Sequence, residues 1–470
     1  MLSKSTICII LLLLLCITFL LFRESLCDID GSYQYGLTLL QLQLPFNITN
    51  RVRELANLQP SFFTPSASEV ADEGIDEILN GQSILSYYKK LAKDSDLISS
   101  RNGVQGDGGM SMQVLATYAY KDHFSAVLAI PKKMGSKVYC RYIDKNGEEI
   151  GKPMESVIYP FYVVYCSRRN ESTFLAITEK ETDAINTDNS KILIRRKFKE
   201  HQHNTAFCLA PIYGNEPKWL HFAELIEHYK LQGVTHFFIY IREISDYDYR
   251  VVESYEKTGE VEVIRIPTTN KDVIAQQLMA VADCLLRSRT FAKWSIFADI
   301  DERMMMTDPL NTIDKYLRNF KNESYGAIAF PQRWIMKREL MPEKYENDDQ
   351  VINKLPTRVW HETSAPGKKG NIVCVQEQQN CWAKVIVNNE KVIRMLVHEV
   401  KQFYPGYNEM FLDHKIGYIR HYRDVHMQSW EANNRKKLSR FGEMSETRYP
   451  SVLSTQLLSG VLARIHQVYV

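Results

Sequence analysis

Residues 294–302 read Trp-Ser-Ile-Phe-Ala-Asp-Ile-Asp-Glu, an apolar run that ends in three acidic side chains. The run from Trp294 to Ala298 has the length and apolar character of a buried strand. Asp299 and Asp301 are two residues apart, so their side chains point to the same side of an extended chain. Hard cations such as Mn²⁺ and Mg²⁺ prefer oxygen ligands of this kind. The run therefore predicts a divalent metal site, with two carboxylates that cap a turn as the structural alternative.

Apolar strands alternate with amphipathic helices on the amino-terminal side of this run. Strands are predicted at residues 206–210, 236–240 and 261–266, and helices at about 219–229, 251–255 and 273–286. This β-α-β-α-β-α-β series is typical of an α/β domain with a mostly parallel sheet. Ligands of such sheets bind outside the carboxyl ends of the strands, where Asp299 and Asp301 are expected. The other Asp-x-Asp pairs do not end a strand of the series; they lie at residues 28–30, 94–96 and 246–248.

The length of 470 residues predicts more than one folded unit, because single cores stop growing at roughly 250–300 residues. We expect a polar stem or linker at residues 23–110, with a packed helical subdomain as the alternative. Short alternating runs predict a small β-rich accessory domain at residues 111–203. The α/β domain is expected to span residues 204–450 and to be followed by a carboxyl-terminal tail at residues 451–470.

The amino terminus predicts membrane targeting. Residues 7–22 are almost entirely apolar and have a basic residue close to each end, which predicts an uncleaved transmembrane anchor after a cytoplasmic tail of residues 1–6. A cleaved signal peptide is the alternative. Three Asn-x-Ser/Thr sequons, at Asn47, Asn170 and Asn322, favour a lumenal, glycosylated location for the rest of the chain.

Six cysteines lie beyond the amino-terminal segment, and an oxidising lumen would permit disulfides between them. The loop from Cys374 to Cys381 is the easiest to close. Cys208 and Cys284 each lie in an apolar segment, so a disulfide and burial as free thiols both remain open for them.

Charge and motifs exclude several functional classes. The formal net charge of +2 is nearly neutral, whereas nucleic-acid binding usually requires a strongly basic domain, so we expect no DNA or RNA partner. The sequence contains no phosphate-binding P-loop, nucleophile elbow or His-Glu-x-x-His helix. Their absence removes the enzyme classes that depend on those motifs.

Several motifs in this order resemble glycosyltransferase family 92, an inverting family with the GT-A fold. They cover roughly residues 204–425 and lie at residues 208–213, 219, 233–240, 283–285, 294–302 and 421–423. The resemblance implies a GT-A, Rossmann-like nucleotide-sugar transferase domain in a single-pass type II Golgi membrane protein. The implied reaction transfers a hexose, galactose from UDP-galactose, to a glycan acceptor on a glycoprotein or glycolipid in the lumen. Ala210 departs mildly from the small polar residue that the family usually has before the proline.

The resemblance also suggests residues for the cofactor and the donor. It matches Asp299 and Asp301 to the family's metal motif, with Mn²⁺ or another divalent cation as the ligand. GT-A enzymes commonly add a downstream histidine, so we expect either His398 or His421 to be a metal ligand. The candidates for binding the UDP-sugar are Pro211, Tyr213, Asp283, Asp299 and Arg423. Gln276 and Gln277 are also expected to face the donor pocket, because the helix before a metal-bearing strand borders it in this fold.

The general base that an inverting transfer needs is not identified by the sequence. Glu362, Glu377 and Asp413 lie in the expected half of the domain, but none has a local context that separates it from a solvated carboxylate. Trp334 and Trp360 are candidates for stacking on a sugar ring, with burial in the core as the alternative.

Two other functions are compatible with parts of the sequence. A noncatalytic lumenal glycan-binding protein would keep the fold without turnover, and the intact Asp299-x-Asp301 pair argues against it. A metal-dependent hydrolase is disfavoured, because glycosidases place two carboxylates on opposite sides of the scissile bond and not on one strand end. The leading hypothesis is therefore a metal-dependent glycosyltransferase.

Overall fold

The computed structural model describes residues 112–129, 134–185, 200–267, 272–337, 340–358, 360–363, 383–424 and 444–470. The predicted cytoplasmic tail, anchor and stem lie outside this part of the chain, as do Asn47, Glu377 and the loop from Cys374 to Cys381. Within these ranges, no helix is both long and apolar enough to cross a membrane.

Residues 112–185 form two antiparallel sheets that share one apolar layer. The strands are β1 (Val114–Ala119), β2 (His123–Leu128), β3 (Lys137–Ile143), β4 (Met154–Val157), β5 (Val163–Ser167) and β6 (Phe174–Thr178). One sheet has the order β1-β2-β5 and the other β4-β3-β6. Alternate residues of both sheets, such as Ala126, Tyr142 and Ile177, are buried between them. The opposite face of the first sheet packs against the α/β part of the chain through Tyr118, Val127 and other apolar side chains.

The α/β part begins at residue 203. Its first half contains β7 (His203–Ile212), α1 (Trp219–Leu231), β8 (His236–Ile241), α2 (Asp246–Lys257), β9 (Val261–Arg265), α3 (Val273–Ser288) and β10 (Ala292–Ala298). The following elements are β11 (Glu302–Met306), α4 (Ile313–Arg318), β12 (Tyr325–Lys337), α5 (Asp348–Lys354), β13 (Trp360–Thr363), β14 (Ala383–Asn388), β15 (Val392–Met395), β16 (Val400–Phe403), β17 (Asn408–Phe411), β18 (Gly417–Asp424), β19 (Met444–Thr447) and α6 (Ser451–Tyr469).

The main sheet is mixed, and the prediction of a mostly parallel sheet is correct only for its first half. The strand order is β11-β18-β12-β14-β10-β7-β8-β9. Strands β10, β7, β8 and β9 are parallel, whereas β14 runs antiparallel to both β10 and β12. Parallel neighbours that are close in sequence need a helical crossover. Between β10 and β18 the described connections contain only the short helices α4 and α5, and the later strands enter the sheet in mixed directions.

Helix α1 is capped by a residue from another helix. Asp248 Oδ1 accepts hydrogen bonds from the backbone nitrogens of Lys218 at 3.0 Å and Trp219 at 2.9 Å. These nitrogens belong to the first turn of α1, whose amide groups have no partner within the helix. Asp248 also accepts from the Ser245 hydroxyl. Asp248, the second residue of the Asp-x-Asp pair at 246–248, therefore has a structural role.

The predicted carboxyl-terminal tail is wrong, because residues 451–469 form helix α6. Leu453, Leu457, Val461 and Ile465 recur every four residues and form one buried face of the helix. This face packs closely on α1, since a Cβ added at Gly460 would come within 2.6 Å of Glu227 Oε2. The four-residue spacing in the sequence is the signal that indicates a packed helix at this position.

Two disulfides lie in the described part of the chain. Cys140 in β3 is bonded to Cys166 in β5, which joins the two small sheets. Cys208 in β7 is bonded to Cys284 in α3, so burial as free thiols is wrong for this pair. The second disulfide fixes α3 against the sheet.

Both disulfides are expected to be found by mass spectrometry of a non-reduced digest, as linked peptides that contain Cys140 with Cys166 and Cys208 with Cys284. Replacing either pair by alanine should lower the free energy of unfolding by about 2–4 kcal/mol. The loss should be about 1 kcal/mol larger for Cys208 and Cys284, because their sequence separation is 76 residues rather than 26. Free thiols at these positions in the purified, non-reduced protein would contradict the assignment.

Candidate active site

The acidic sequence after β10 forms a tight turn. The backbone nitrogen of Glu302 donates to the Asp299 carbonyl at 3.1 Å, and the backbone nitrogen of Asp299 donates to Glu302 Oε2 at 2.9 Å. The chain therefore reverses between β10 and β11 at the carboxyl edge of the parallel strands. Because of this turn, Asp299 and Asp301 have different partners, and the expectation that both carboxylates face one side of an extended strand is wrong.

Asp299 pairs with a buried lysine. Lys384 Nζ lies 2.9 Å from Asp299 Oδ2 and 3.4 Å from Glu302 Oε2, and the lysine side chain is only 1% exposed. Gln277 Nε2 in α3 donates to the other oxygen, Asp299 Oδ1, at 3.1 Å. The pairing of Ile296 with Ile386, continued by two residues, places Lys384 beside the end of β10. Asp299 is thus neutralised by a cation of the protein.

Asp301 faces a histidine. His421 Nε2 lies 3.1 Å from Asp301 Oδ2, and Arg423 Nη1 lies 3.2 Å from the same ring nitrogen. Antiparallel pairing of β11 with β18 sets Glu302 opposite His421, which brings the imidazole to the turn. Burial raises the pKa of Asp301, but the neighbouring His421 and Arg423 outweigh it and hold that pKa well below its usual value.

Glu302 lies between the surroundings of Asp299 and those of Asp301, and it contacts both. The side chain is completely buried, and Oε1 accepts a hydrogen bond from Gln332 Nε2 at 2.8 Å. The same oxygen lies 3.4 Å from His421 Nδ1. Burial raises the pKa of the Glu302 carboxyl, although the Lys384 ammonium opposes this shift.

A buried ion pair supports the turn. Arg303 Nη2 lies 2.7 Å from Glu224 Oε2 of α1, and both side chains are 0% exposed. Arg303 Nη1 donates to the carbonyl oxygens of Ile300 at 2.7 Å and Glu302 at 3.1 Å. The second Glu224 oxygen accepts from the backbone nitrogen of Thr357 at 2.8 Å. The backbone of the acidic turn is therefore held from inside the core.

The metal ligands expected from the sequence are brought together only in part. Asp301 and His421 converge, but Asp299 is engaged by Lys384. Nowhere in the described ranges is a group of three or more His, Cys, Asp or Glu side chains placed to hold a metal. One carboxylate and one imidazole still suit a cation such as Mn²⁺ or Mg²⁺, which commonly takes few protein ligands and completes its shell with water and substrate phosphates. The pair therefore fits a two-ligand site that remains open to a substrate.

His398 lies on the other side of the site. Its Nδ1 is 3.1 Å from the carbonyl oxygen of Ala383, the residue before Lys384. Burial, reinforced by the positive charge of Lys384, lowers the pKa of His398 to about 3. Of the two histidines expected from the sequence, His421 is the one that contacts Asp301.

Tyr213 and Arg242 lie on the rim next to the acidic turn. Tyr213 follows β7 and is 46% exposed. Burial of its hydroxyl and the charges of Asp299 and Asp301 raise the pKa of Tyr213, while Arg242 opposes the shift. Arg242 follows β8, and its backbone nitrogen donates to the Ile212 carbonyl at 3.0 Å. Pro211 is buried within β7, so Tyr213 is the part of this segment that is accessible to a ligand.

Asp283, predicted to bind the donor, has a structural role instead. It is completely buried and accepts hydrogen bonds from the hydroxyls of Tyr118 and Tyr240, each at 2.6 Å, and from Arg287 Nε at 3.0 Å. Gln277 and Asp283 are six residues apart in α3, which is about 240° around the helix axis. Gln277 therefore faces Asp299, whereas Asp283 faces the small sheet of β1. Gln276 is also buried, with Nε2 at 3.4 Å from the Pro267 carbonyl.

The structure describes the side chains of only some of the other candidates from the sequence. Trp334 is buried, with His421 at 6.4 Å between ring centroids and Arg423 over its ring at 5.3 Å, so it packs as part of the site wall. Asp413 accepts from the backbone nitrogen of Lys415 and is half exposed. Trp360 and Glu362 lie in β13, but their side chains are outside the described part. The sequon residues Asn170 and Asn322 are exposed.

Lys384, Glu302, Gln332 and Arg242 are site residues that the sequence analysis missed. Lys384 is the only charged residue of β14, in which all six residues are buried. A single lysine within an apolar strand is a usable signal, because buried lysines are rarely found without a partner. Gln332 offers no such signal, since its role depends on the register between β12 and β18.

A curled α/β sheet with an acidic turn at its carboxyl edge is consistent with a nucleotide-sugar transferase domain. Residues 203–457 match the model of Glycosyltransferase family 92, which is more than half of the chain. The chain belongs to glycosyltransferase family 92.

Comparisons with individual proteins give weaker similarities. The chain is 23% identical over 262 residues to a protein named Beta-1,4-galactosyltransferase galt-1 from Caenorhabditis elegans, an alignment that covers 54% of this chain and 56% of that protein. The chain therefore spans about half the length of this curated relative. A solved structure titled "Crystal Structure of a Mycobacterial Protein" aligns with 53% of this chain and 84% of its own, at 10% identity and a TM-score of 0.26.

Breaking the ion pair beneath the turn should strongly destabilise the protein. Glu224→Gln is expected to lower the free energy of unfolding by about 3–5 kcal/mol, because it leaves Arg303 buried without its counter-charge. The matched control is Glu253→Gln, which removes an exposed helical pair with Lys257 and should change stability by less than about 0.5 kcal/mol. Denaturant unfolding of both variants measures the difference. Equal, small effects would show that the buried pair does not hold the turn.

Proposed function

We propose that the protein is an inverting, metal-dependent glycosyltransferase of the GT-A type that transfers galactose from UDP-galactose to a glycan acceptor. The observation that carries the proposal is the convergence of Asp301, His421 and Arg423 within the family 92 domain. A carboxylate, an imidazole and a guanidinium together provide ligands for a divalent cation and a partner for a phosphate. The name of the C. elegans relative supports galactose as the sugar.

Different residues of the site would bind different parts of the UDP-sugar donor. Asp301 and His421 would hold the cation, and Arg423 would pair with a phosphate oxygen beside it. When bound, Mn²⁺ or Mg²⁺ supplies a Lewis acid that neutralises charge on the departing diphosphate. The accessible ring of Tyr213 offers a stacking surface for the nucleotide base. Asp299, held by Lys384 and Gln277, keeps lone pairs that can accept hydrogen bonds from donor hydroxyls.

Inversion also requires a group that takes the proton from the acceptor hydroxyl. Glu362, Glu377 and Asp413 are the candidates for this base, because the carboxylates of the turn are engaged by Lys384, Gln332 and His421.

We also propose that the enzyme is a single-pass type II protein of the Golgi membrane. The apolar segment at residues 7–22 and the three sequons support this location.

Release of UDP by the purified full-length chain tests this function. With a panel of UDP-sugars and glycan acceptors, we expect turnover of UDP-galactose with Mn²⁺ and none with EDTA. Asp301→Asn should reduce turnover by about 100-fold or more, because loss of the cation removes several kcal/mol of charge stabilisation. The matched control is Asp246→Asn, an exposed aspartate of another Asp-x-Asp pair, which should keep full activity.

The outcomes of this experiment separate the alternatives. Turnover that persists in EDTA and in Asp301→Asn would refute the metal-dependent mechanism. If no UDP-sugar is used, while glycans still bind, the protein is a noncatalytic glycan-binding member of the family.

A further inference from the structure

The two nitrogens of His421 have different kinds of neighbours. Nδ1 lies 3.3 Å from Gln332 Oε1 and 3.4 Å from Glu302 Oε1. Nε2 lies 3.1 Å from Asp301 Oδ2 and 3.2 Å from Arg423 Nη1. Both neighbours of Nδ1 are acceptor oxygens, whereas Nε2 has an acceptor on one side and a guanidinium, which can only donate, on the other.

The buried Glu302 carboxylate fixes the orientation of the Gln332 amide. Gln332 is 2% exposed, and its Nε2 donates to Glu302 Oε1 at 2.8 Å. The other oxygen, Oε2, accepts from the Asp299 backbone nitrogen at 2.9 Å and lies 3.4 Å from Lys384 Nζ. A carboxylate held at both oxygens accepts hydrogen bonds only, so the amide nitrogen of Gln332 must face it. The amide oxygen is thereby directed at His421.

The amide oxygen in turn selects the histidine tautomer. Which ring nitrogen carries the proton in a neutral imidazole is set by the hydrogen bond that the other nitrogen makes. Two acceptors beside Nδ1 place the proton there, and the Arg423 donor beside Nε2 requires a lone pair at that position. We propose that Glu302 and Gln332 form a relay that fixes His421 as the Nδ1–H tautomer and presents the Nε2 lone pair to a divalent cation shared with Asp301.

The relay opposes an alternative hydrogen bond within the site, between His421 and Asp301. With the proton on Nε2, His421 would donate directly to Asp301 across the 3.1 Å gap. This direct hydrogen bond would engage the ligand lone pairs of both residues and so oppose metal binding. Partners that orient a ligating histidine through its second nitrogen commonly change metal affinity by 10–100-fold. Glu302 and Gln332 are thus positioning residues for the proposed metal site, on which this inference rests.

A second buried histidine provides an internal control. His228 Nε2 lies 2.8 Å from the Met304 carbonyl, and its Nδ1 lies 2.9 Å from the Tyr449 hydroxyl. A carbonyl accepts only, so His228 carries its proton on Nε2 and accepts from the tyrosine through Nδ1. The structure therefore assigns opposite tautomers to His228 and His421 in the same molecule.

Nitrogen NMR of the ¹⁵N-histidine-labelled full-length chain, without metal, tests the relay directly. Signals of the two histidines are assigned with His421→Asn and His228→Asn. We expect an unprotonated Nε2 for His421 and an unprotonated Nδ1 for His228. In Gln332→Met, which keeps the side-chain length and removes the acceptor, the His421 proton should shift to Nε2 while the His228 signals stay unchanged. A protonated Nε2 of His421 in the unsubstituted chain would refute the relay.

Mn²⁺ affinity, measured from the electron paramagnetic resonance signal of free Mn²⁺, gives a second readout. Gln332→Met should weaken binding by about 10–100-fold in the otherwise unchanged chain. It should have no further effect in the His421→Ala background, because the relay acts only through this ring. Equal losses in both backgrounds would indicate a general structural role and overturn the inference. If the unsubstituted chain binds no Mn²⁺, the proposed metal site fails, while the NMR result still decides whether the relay exists.

Discussion

The buried ion pair between Arg303 and Glu224 is the interaction on which the acidic turn depends. Three carboxylates within four residues repel one another. The guanidinium of Arg303 holds the carbonyl oxygens of Ile300 and Glu302 from inside the core, and the Asp301 carbonyl accepts a hydrogen bond from the Tyr422 backbone nitrogen at 2.9 Å. Glu224 balances the charge and connects the turn to α1. Removal of either partner would leave the other charge buried and uncompensated, so both residues are needed to keep the shape of the turn.

The carboxylates of this turn have different basic side chains as neighbours. Lys384 neutralises Asp299 and Glu302 from within the sheet, where it is inaccessible to solvent. Asp301 instead faces His421 and Arg423, which lie on β18. Two aspartates that are adjacent in the motif are therefore chemically distinct. One belongs to a fixed ion pair, and the other lies beside an imidazole and a guanidinium, the arrangement on which the proposed metal site rests.

Local sequence pattern predicted the α/β class and the strands that precede the acidic residues, whereas the choice of Asp299 and Asp301 as the functional pair stays a prediction. These features depend on hydrophobic periodicity over short segments, which the sequence displays directly. The positions of Lys384 and Gln332 depend on how β14 and β12 enter the sheet, and a strand register shifted by one residue would point both side chains to the opposite face. Asp283 shows that a helix poses the same difficulty. The sequence analysis expected α3 to border the donor pocket, but it did not predict which face of α3 does so. The roles of His421 and Arg423 remain predictions, although the structure brings both residues to the acidic turn.

The strand order also determines when the site is assembled during folding. Strands β7, β8 and β9 pair with neighbours that are close in sequence, so this part of the sheet can form while the rest of the chain is still unstructured. Asp301 and His421 are 120 positions apart in the sequence. Bringing them together is slow, because the entropic cost of closing this loop precedes the contacts that stabilise it. A chain arrested midway would therefore present the acidic turn without its imidazole. The ability to bind a cation at this edge would thus report completion of the fold, rather than the presence of the motif.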